Sequence, residues 1–568
     1  MHGAREQIHN WGMKELPRLG LLMAAVAIAY GNTLLNDFAQ DDQIYILENH
    51  AVTAHSLHEL IQPNYFSRVF RPVTFATFSV NWALRANHPF SYHLLNILLH
   101  AVVTCLLCVL LRSLLEPLPH AATVALIAAW LFAVHPIHTE AVAAIAGRSE
   151  LLAAGFLLGA WLLHLHDRHL LALLCFVLAL LSKESAVVFF PLVLLGDFAR
   201  GELKPALRYA SIAAVTALYV GLFWKLQGGR FGIVIPFLDN PLGVLPPTLR
   251  MLNALRVAWK YFGLQVYPGS LSCDYSYSAI LLYSNWRVVP SACLALLVVL
   301  LWIWSLYARK RAWAIAGTIY LVGFAATANL FFPIGTIMGE RLAYFPSAGF
   351  CLLAALLWVH LKRYNRPLAI AVLAVIVAGF AVRTVVRNRD WRNNFTLYSA
   401  ALLVVPQSAK MHYAIATQYA LQGQTELARK EFQTSLRLYP DYPEALESFG
   451  LLEANTGQDQ ESRRLLQAAL ALAQKGSLNY NFAVVNLAGQ LIKLGDNDQA
   501  LKLLDQDIAN SPDYARAWAN RALIRYRQGD LASARSDAQT ALRLDPGNSQ
   551  AQALLSRLNA SPSLAFPK

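Results

Sequence analysis

Two adjacent aspartates, Asp41 and Asp42, follow an apolar run over residues 19–35. A carboxylate at a membrane surface can take a proton from an attacking hydroxyl or chelate a metal, and partial desolvation raises its pKa. The plainer alternative is a helix cap or a solvated edge, because acidic side chains are favoured at helix N-termini. More ionisable groups sit in the breaks between apolar runs: Arg71, His93, His135, His138, Glu140, Arg148, Glu150, Lys183, Glu184, Glu340 and Arg341. Charges at membrane depth are expensive and are usually paired or functional. Acids and bases mixed on one face suit a lipid-linked phosphate donor: a cation holds the phosphate while a carboxylate activates the acceptor. The spacing His135-x-x-His138-x-Glu140 could supply metal ligands, but Pro136 breaks the helical face and no second cluster completes a shell. Interfacial hydrogen bonding accounts for it more simply. Arg148 and Glu150 also fit snorkelling residues at a helix start, and Lys183 with Glu184 fits a structural ion pair as well as a donor contact.

These groups need a membrane to hold them. Of 568 residues, 14% are charged and 56% hydrophobic, with mean hydropathy +0.40, where a typical soluble protein has roughly 25% charged residues. That composition excludes both a soluble globule and a disordered chain and predicts an integral membrane protein. From Arg387 onward there are 20 Lys+Arg and 17 Asp+Glu, which leaves 27 and 17 upstream. The basic excess therefore belongs to the membrane half, where orientation and anionic headgroups explain it. No basic stripe interleaves with aromatics, so nucleic acid is not an expected partner. The six cysteines form neither a zinc nor a disulfide pattern.

Apolar runs fall near 19–35, 92–111, 121–135, 149–165, 169–181, 186–195, 209–226, 288–307, 312–332, 342–360 and 367–386. The positives Arg5, Lys14 and Arg18 before the first run, with no cleavage signature, predict an uncleaved span and a cytoplasmic N-terminus. The cytoplasmic cluster Arg309-Lys310-Arg311 and the parity of crossings place 250–267, broken by Arg250, Arg256 and Lys260, in the interface. About eleven crossings result. Residues after Val386 and the polar groups above then share the outer side, with Arg230 and Arg341 as outer-side exceptions to the positive-inside rule.

The C-terminal third repeats. Gly423, Gly457, Gly495 and Gly529 are spaced by 34, 38 and 34 residues, and Pro406, Pro440, Pro512 and Pro546 by 34, 72 and 34. Small residues Ala428, Ser462, Ala500 and Ala534 keep step. A 34-residue period with glycine at the inter-helix turn and proline closing the second helix predicts about four tetratricopeptide repeats and a capping helix. Extra residues near 474–480 account for the longer spacing. The expected domains are a membrane domain over 1–386, a linker over 387–407 and a repeat domain over 408–568.

Eight segments in order resemble the transmembrane and tetratricopeptide-repeat O-mannosyltransferases of the GT-C glycosyltransferase class. They are Phe38 to Asp42, Phe70 to Thr74, Tyr92 to His100, His135 to Glu140, Gly147 to Glu150, Leu181 to Glu184, Cys273 to Tyr277 and Glu340 to Pro346. The resemblance implies an all-α GT-C-type membrane bundle followed by an α-solenoid, with an extracytoplasmic active site. It also implies a polyprenyl- or dolichyl-phosphate sugar as donor and transfer with inversion to Ser/Thr hydroxyls of a protein held by the repeats. Asp41 and Asp42 match the family's acidic pair, one of them the base. Arg148, Lys183 and Arg341 are candidates for the donor phosphate. Arg71, His93, His138, Glu140, Glu150, Glu184 and Glu340 would support them. No metal ligand set is assigned, although a divalent cation remains compatible with the chemistry. Compactness and the lack of a retention ending favour a bacterial inner membrane over the endoplasmic reticulum. Two other classes compete: a membrane-anchored repeat scaffold for envelope or secreted complexes, and a transporter of lipid-linked glycans.

Overall fold

The computed structural model describes residues 2–54, 57–60, 69–226, 235–475 and 477–560. Arg230 and residues 61–68 of the first loop lie outside the described residues. Among those described, all regular structure is helical. Two compact units divide the chain, Met1–Gln407 and Ser408–Lys568.

The first unit is built from long apolar helices, because in hydrocarbon each backbone N–H and C=O must be satisfied within its own segment. Its main helices are α1 (His2–Tyr30), α2 (Pro72–Arg85), α3 (Phe90–Leu115), α4 (Ala121–Val134), α5 (Arg148–Leu165), α6 (His169–Ser182) and α7 (Phe189–Arg200). They are followed by α8 (Ala206–Leu226), α9 (Pro247–Val266), α10 (Val289–Tyr307), α11 (Arg311–Ala325), α12 (Ser347–Tyr364), α13 (Arg366–Asp390) and α14 (Asn394–Val404). Each of the eleven apolar runs coincides with a helix, although the run 312–332 stops being helical at Ala325. By length and composition six described helical stretches can cross a bilayer, or seven if the bent pair Ala121–Val134 and Pro136–Val142 counts as one span. The bend is 53°. It falls at His135-Pro136, where proline has no N–H to continue the ladder.

Helix α9 is amphipathic. Its buried side, with Ala254, Val257, Tyr261 and Leu264, joins Leu271, Tyr275, Phe324, Met338 and Leu342 in a small second core. The stretch 387–407, expected as a linker, instead ends α13 and forms α14. Trp391, Leu397 and Ala401 are buried there, so apolar anchors hold it in the first unit.

Close helix contact in this unit depends on small residues. A Cβ at Gly349 of α12 would lie 2.5 Å from the Ala316 carbonyl oxygen and 2.6 Å from the Tyr320 nitrogen of α11. Both are backbone atoms and cannot rotate away. We expect Gly349→Val to cost at least the ~1–3 kcal/mol typical of overpacking. Thermal unfolding in detergent would read this as a lowered midpoint, and an unchanged midpoint would mean that the two helices separate without penalty.

The second unit pairs Ala409–Leu421 with Thr425–Leu438, Pro443–Asn455 with Asp459–Leu472, Leu478–Leu494 with Asn497–Asn510, and Ala515–Arg527 with Leu531–Leu544. Ser549–Ala560 follows as a single helix. Gly423, Gly457, Gly495 and Gly529 have φ of 72°, 79°, 84° and 82° at the turns inside the pairs, a region that suits glycine. Ala428, Ser462, Ala500 and Ala534 are fully buried where paired helices meet, and the Phe432 and Phe449 rings stack at 5.6 Å.

Candidate functional site

The site gathers at breaks between helices of the first unit. The Asp41–Asp42 loop is pinned to the Arg392–Asn394 turn: Asp37 N–H donates to Arg392 O (2.8 Å) and Gln40 N–H to Asn394 Oδ1 (2.7 Å). A π-turn over Gln43–Leu47 follows, and it turns the two aspartates different ways. Asp42 points inward and is 1% exposed. Its Oδ2 accepts Ala39 N–H at 3.0 Å and its Oδ1 accepts Ala146 N–H at 2.7 Å, tying the loop to the turn before α5. Asp41 faces outward, a third exposed, and its Oδ2 accepts Arg341 Nη1–H at 2.8 Å.

Arg341 lies in the 3-10 turn between α11 and α12. Its guanidinium is 3.4 Å from Glu140 Oε1, and its backbone N–H donates to Glu140 Oε2 at 2.9 Å. Glu140 comes from the short helix beyond the Pro136 bend. The break between α6 and α7 supplies Lys183 and Glu184. These neighbours do not pair with each other. Lys183 Nζ pairs with Glu150 of α5. Glu184 accepts a two-pronged bond from Arg71 at the start of α2, Nε at 3.0 Å and Nη2 at 2.6 Å. Thr74 Oγ1 donates to Ser182 O at 2.9 Å beside it. Asp41–Arg341–Glu140, Lys183–Glu150 and Arg71–Glu184 are thus three ion-paired groups close enough to feel one another's charge.

Other residues expected at the site lie behind it. Arg148 is expected from the resemblance to hold the donor phosphate. It is fully buried and leaves no accessible face for a lipid phosphate. Nε donates to Asn96 Oδ1 (2.8 Å), Nη1 to Asn81 Oδ1 (2.6 Å) and Thr77 Oγ1 (3.2 Å), and Nη2 to Tyr92 O (3.0 Å). Its guanidinium carbon sits 4.6 Å from the Phe78 ring centroid. His93 is buried within α3. The His138 ring bridges Phe132 O at 3.0 Å and Ser347 Oγ at 2.7 Å, so both its nitrogens are engaged within the fold. Glu340 is buried as well. Its Oε1 accepts Ser272 N–H at 2.6 Å and Tyr275 O–H at 2.7 Å, which anchors the Cys273–Tyr277 loop. Gln40, whose Nε2 donates to Cys273 O at 3.3 Å, and Tyr275 lie within matching segments but are given no role there, and Ser272 falls outside them, because uncharged side chains carry little signal of chemistry. Among the described residues no group of three His, Cys, Asp or Glu side chains is arranged to hold a metal ion.

Burial lowers the pKa of Lys183, and the Glu150 charge opposes that shift. Burial pushes Glu340 up to about 7, against the opposing pull of Arg387. Asp42 is also raised to about 7, with burial outweighing the Ala39 and Ala146 N–H groups. Its unfolded value is 3.8, so its contribution to stability is complete below that pH and is lost as pH rises through about 7. Asp42→Asn removes this titration. The wild-type thermal midpoint, measured relative to the variant, should fall between pH 4 and pH 7 and level off above. A difference that is flat, or that rises with pH, would contradict burial as the dominant influence.

In the second unit a groove is lined by Asn486, Gln490, Lys493, Arg516 and Asn520, among others.

A tetratricopeptide-repeat family model matches residues 413–477 and 487–549. Protein O-mannosyl-transferase F38B6.6 of Caenorhabditis elegans is 31% identical over 74% of this chain and 63% of its own length. Protein O-mannosyl-transferase TMTC3 of Mus musculus is 27% identical over 93% and 64%, and that of Homo sapiens 27% over 95% and 65%. The chain therefore spans 63–65% of the length of these relatives. All three are animal proteins, and they lend no support to a bacterial membrane. The solved structure of MamA from Desulfovibrio magneticus RS-1 is 25% identical over 27% of this chain and 84% of that one at TM-score 0.24, a likeness too slight to argue from.

Proposed function

The chain is a homologue of the protein O-mannosyl-transferases over most of its length, and from that kinship we propose that it is a multi-pass membrane glycosyltransferase. It moves mannose from a polyprenyl-phosphate donor to Ser/Thr hydroxyls on the extracytoplasmic side, and the repeat unit holds the protein acceptor.

The observation that carries this reading is the accessible Asp41 carboxylate held 2.8 Å from Arg341, at the edge of a cluster with two further cations. Asp41 takes the acceptor hydroxyl proton as its oxygen attacks the anomeric carbon. The bond from that carbon to the phosphate oxygen breaks, and its electron pair leaves with the lipid phosphate. Arg341, partly exposed, meets the negative charge that develops on the lipid phosphate, and the buried Lys183 adds field from behind it. Asp42, with both oxygens occupied by backbone N–H groups, holds the loop that presents Asp41. Arg148 positions α2 and α3 from behind and touches no substrate.

The test is transfer of label from radiolabelled polyprenyl-phosphate mannose to protein in membranes containing the full chain. Label in protein is the expected result. If no label moves from this donor or from a panel of other lipid-linked sugars, the transferase reading is wrong and the repeat-scaffold alternative takes its place.

A further inference from the structure

We propose that the hydroxyl of Tyr45 donates a hydrogen bond to the anionic oxygen of the donor's leaving group, in a seat flanked by Arg71 and Arg341. The proposal rests on the transferase reading for the identity of the anion, not for the existence of the seat.

Two backbone registers place the phenol. Tyr45 N–H donates to Asp41 O at 3.0 Å, which ties the start of the π-turn to Asp41. Its ring lies 6.1 Å from that of Phe75, and Phe75 N–H donates to Arg71 O at 3.0 Å, one helical turn from Arg71. That register brings the phenol near both Arg71 and Arg341. The charges of Arg71, Asp41, Arg341 and Glu184 all reach it. Its hydroxyl has no hydrogen-bond partner among the described residues, whereas Tyr275, Tyr92 and Tyr261 each donate theirs to a protein acceptor.

The chemistry of such a seat is specific. Arg71 spends Nε and Nη2 on Glu184 and Arg341 spends Nη1 on Asp41, so both bring positive field to the seat. A neutral hydroxyl adds a donor without adding charge and brings no carboxylate to repel the phosphate. When the anomeric C–O bond breaks, the electron pair settles on the phosphate oxygen. Tyr45 keeps its proton and shares it with that oxygen, and the acceptor's proton goes to Asp41. A hydrogen bond to a charged group is worth roughly tenfold or more in binding.

The experiment uses the full chain in nanodiscs and a short lipid phosphate, farnesyl phosphate, with farnesol as the uncharged control. Tyr45→Phe keeps the ring against Phe75 and removes only the hydroxyl. We expect farnesyl phosphate binding to weaken about tenfold, farnesol binding to stay the same and the thermal midpoint to hold. In the transfer assay kcat should fall more than KM rises, because the contact strengthens as charge develops. Equal farnesyl phosphate binding by wild type and variant overturns the proposal, as does failure of the wild type to bind it. If the variant does not fold, 3-fluorotyrosine at position 45 gives a second readout. Its fluorine resonance should move on adding farnesyl phosphate but not farnesol, and an unmoved resonance overturns the proposal. Phosphate binding without mannose transfer would leave the seat standing and remove the mannosyl donor alone.

Discussion

Asp41→Asn is expected to lower mannosyl transfer by about 10²–10⁴-fold, the range in which a positioned base contributes, while the thermal midpoint stays unchanged. Asparagine keeps an oxygen that can accept from Arg341, so the 2.8 Å contact survives. What it loses is the capacity to take a proton. The side chain is about a third exposed, which is why stability should not follow activity. Donor affinity should change little, because the cations on the phosphate side are untouched. Asp42→Asn makes the contrast: it alters a buried anchor and should show itself first in stability and its pH dependence. Transfer by Asp41→Asn within tenfold of wild type would move the base elsewhere, with Glu140, 3.4 Å from the same guanidinium, the next carboxylate in reach.

The largest effect on stability is expected from Arg148→Met. Removing the donor shared by several buried neutral acceptors costs about 1–3 kcal/mol for each acceptor left unpaired. Here those acceptors are Asn96, Asn81, Thr77 and the Tyr92 carbonyl, which join α2, α3 and α5. The variant should express poorly or unfold well below wild type, and any activity lost should be lost with the fold. Yield and thermal midpoint, measured beside farnesyl phosphate affinity, separate the two roles. A stable variant with weakened phosphate binding would return Arg148 to the phosphate.

The repeats were legible because a solenoid writes its geometry as a fixed period: Gly423, Gly457, Gly495 and Gly529 sit where the backbone turns left-handed. The membrane helices were legible because hydrocarbon permits little else. The site was legible only as a list of charges. Sequence shows that Arg148 is ionisable but not that Asn96 and Asn81, more than fifty residues upstream, fold around it. It shows Asp41 and Asp42 as equals, and only the π-turn separates an outward carboxylate from a buried one. Tyr45 was invisible for the same reason, since its place depends on that turn and on Phe75. The polar run from Arg387 to Asn394 reads as a linker until Trp391 is found buried.

Lys183 and Glu184 are adjacent in the chain, yet each is drawn to an opposite charge on a different helix, Glu150 of α5 and Arg71 of α2. The break they occupy is braced against torsion from both sides, because twisting it either way stretches one tether. Exchanging the two residues would set like charge against like at both anchors. A change at any of these four positions is therefore answerable to its partner across the fold, not to its neighbour in the chain.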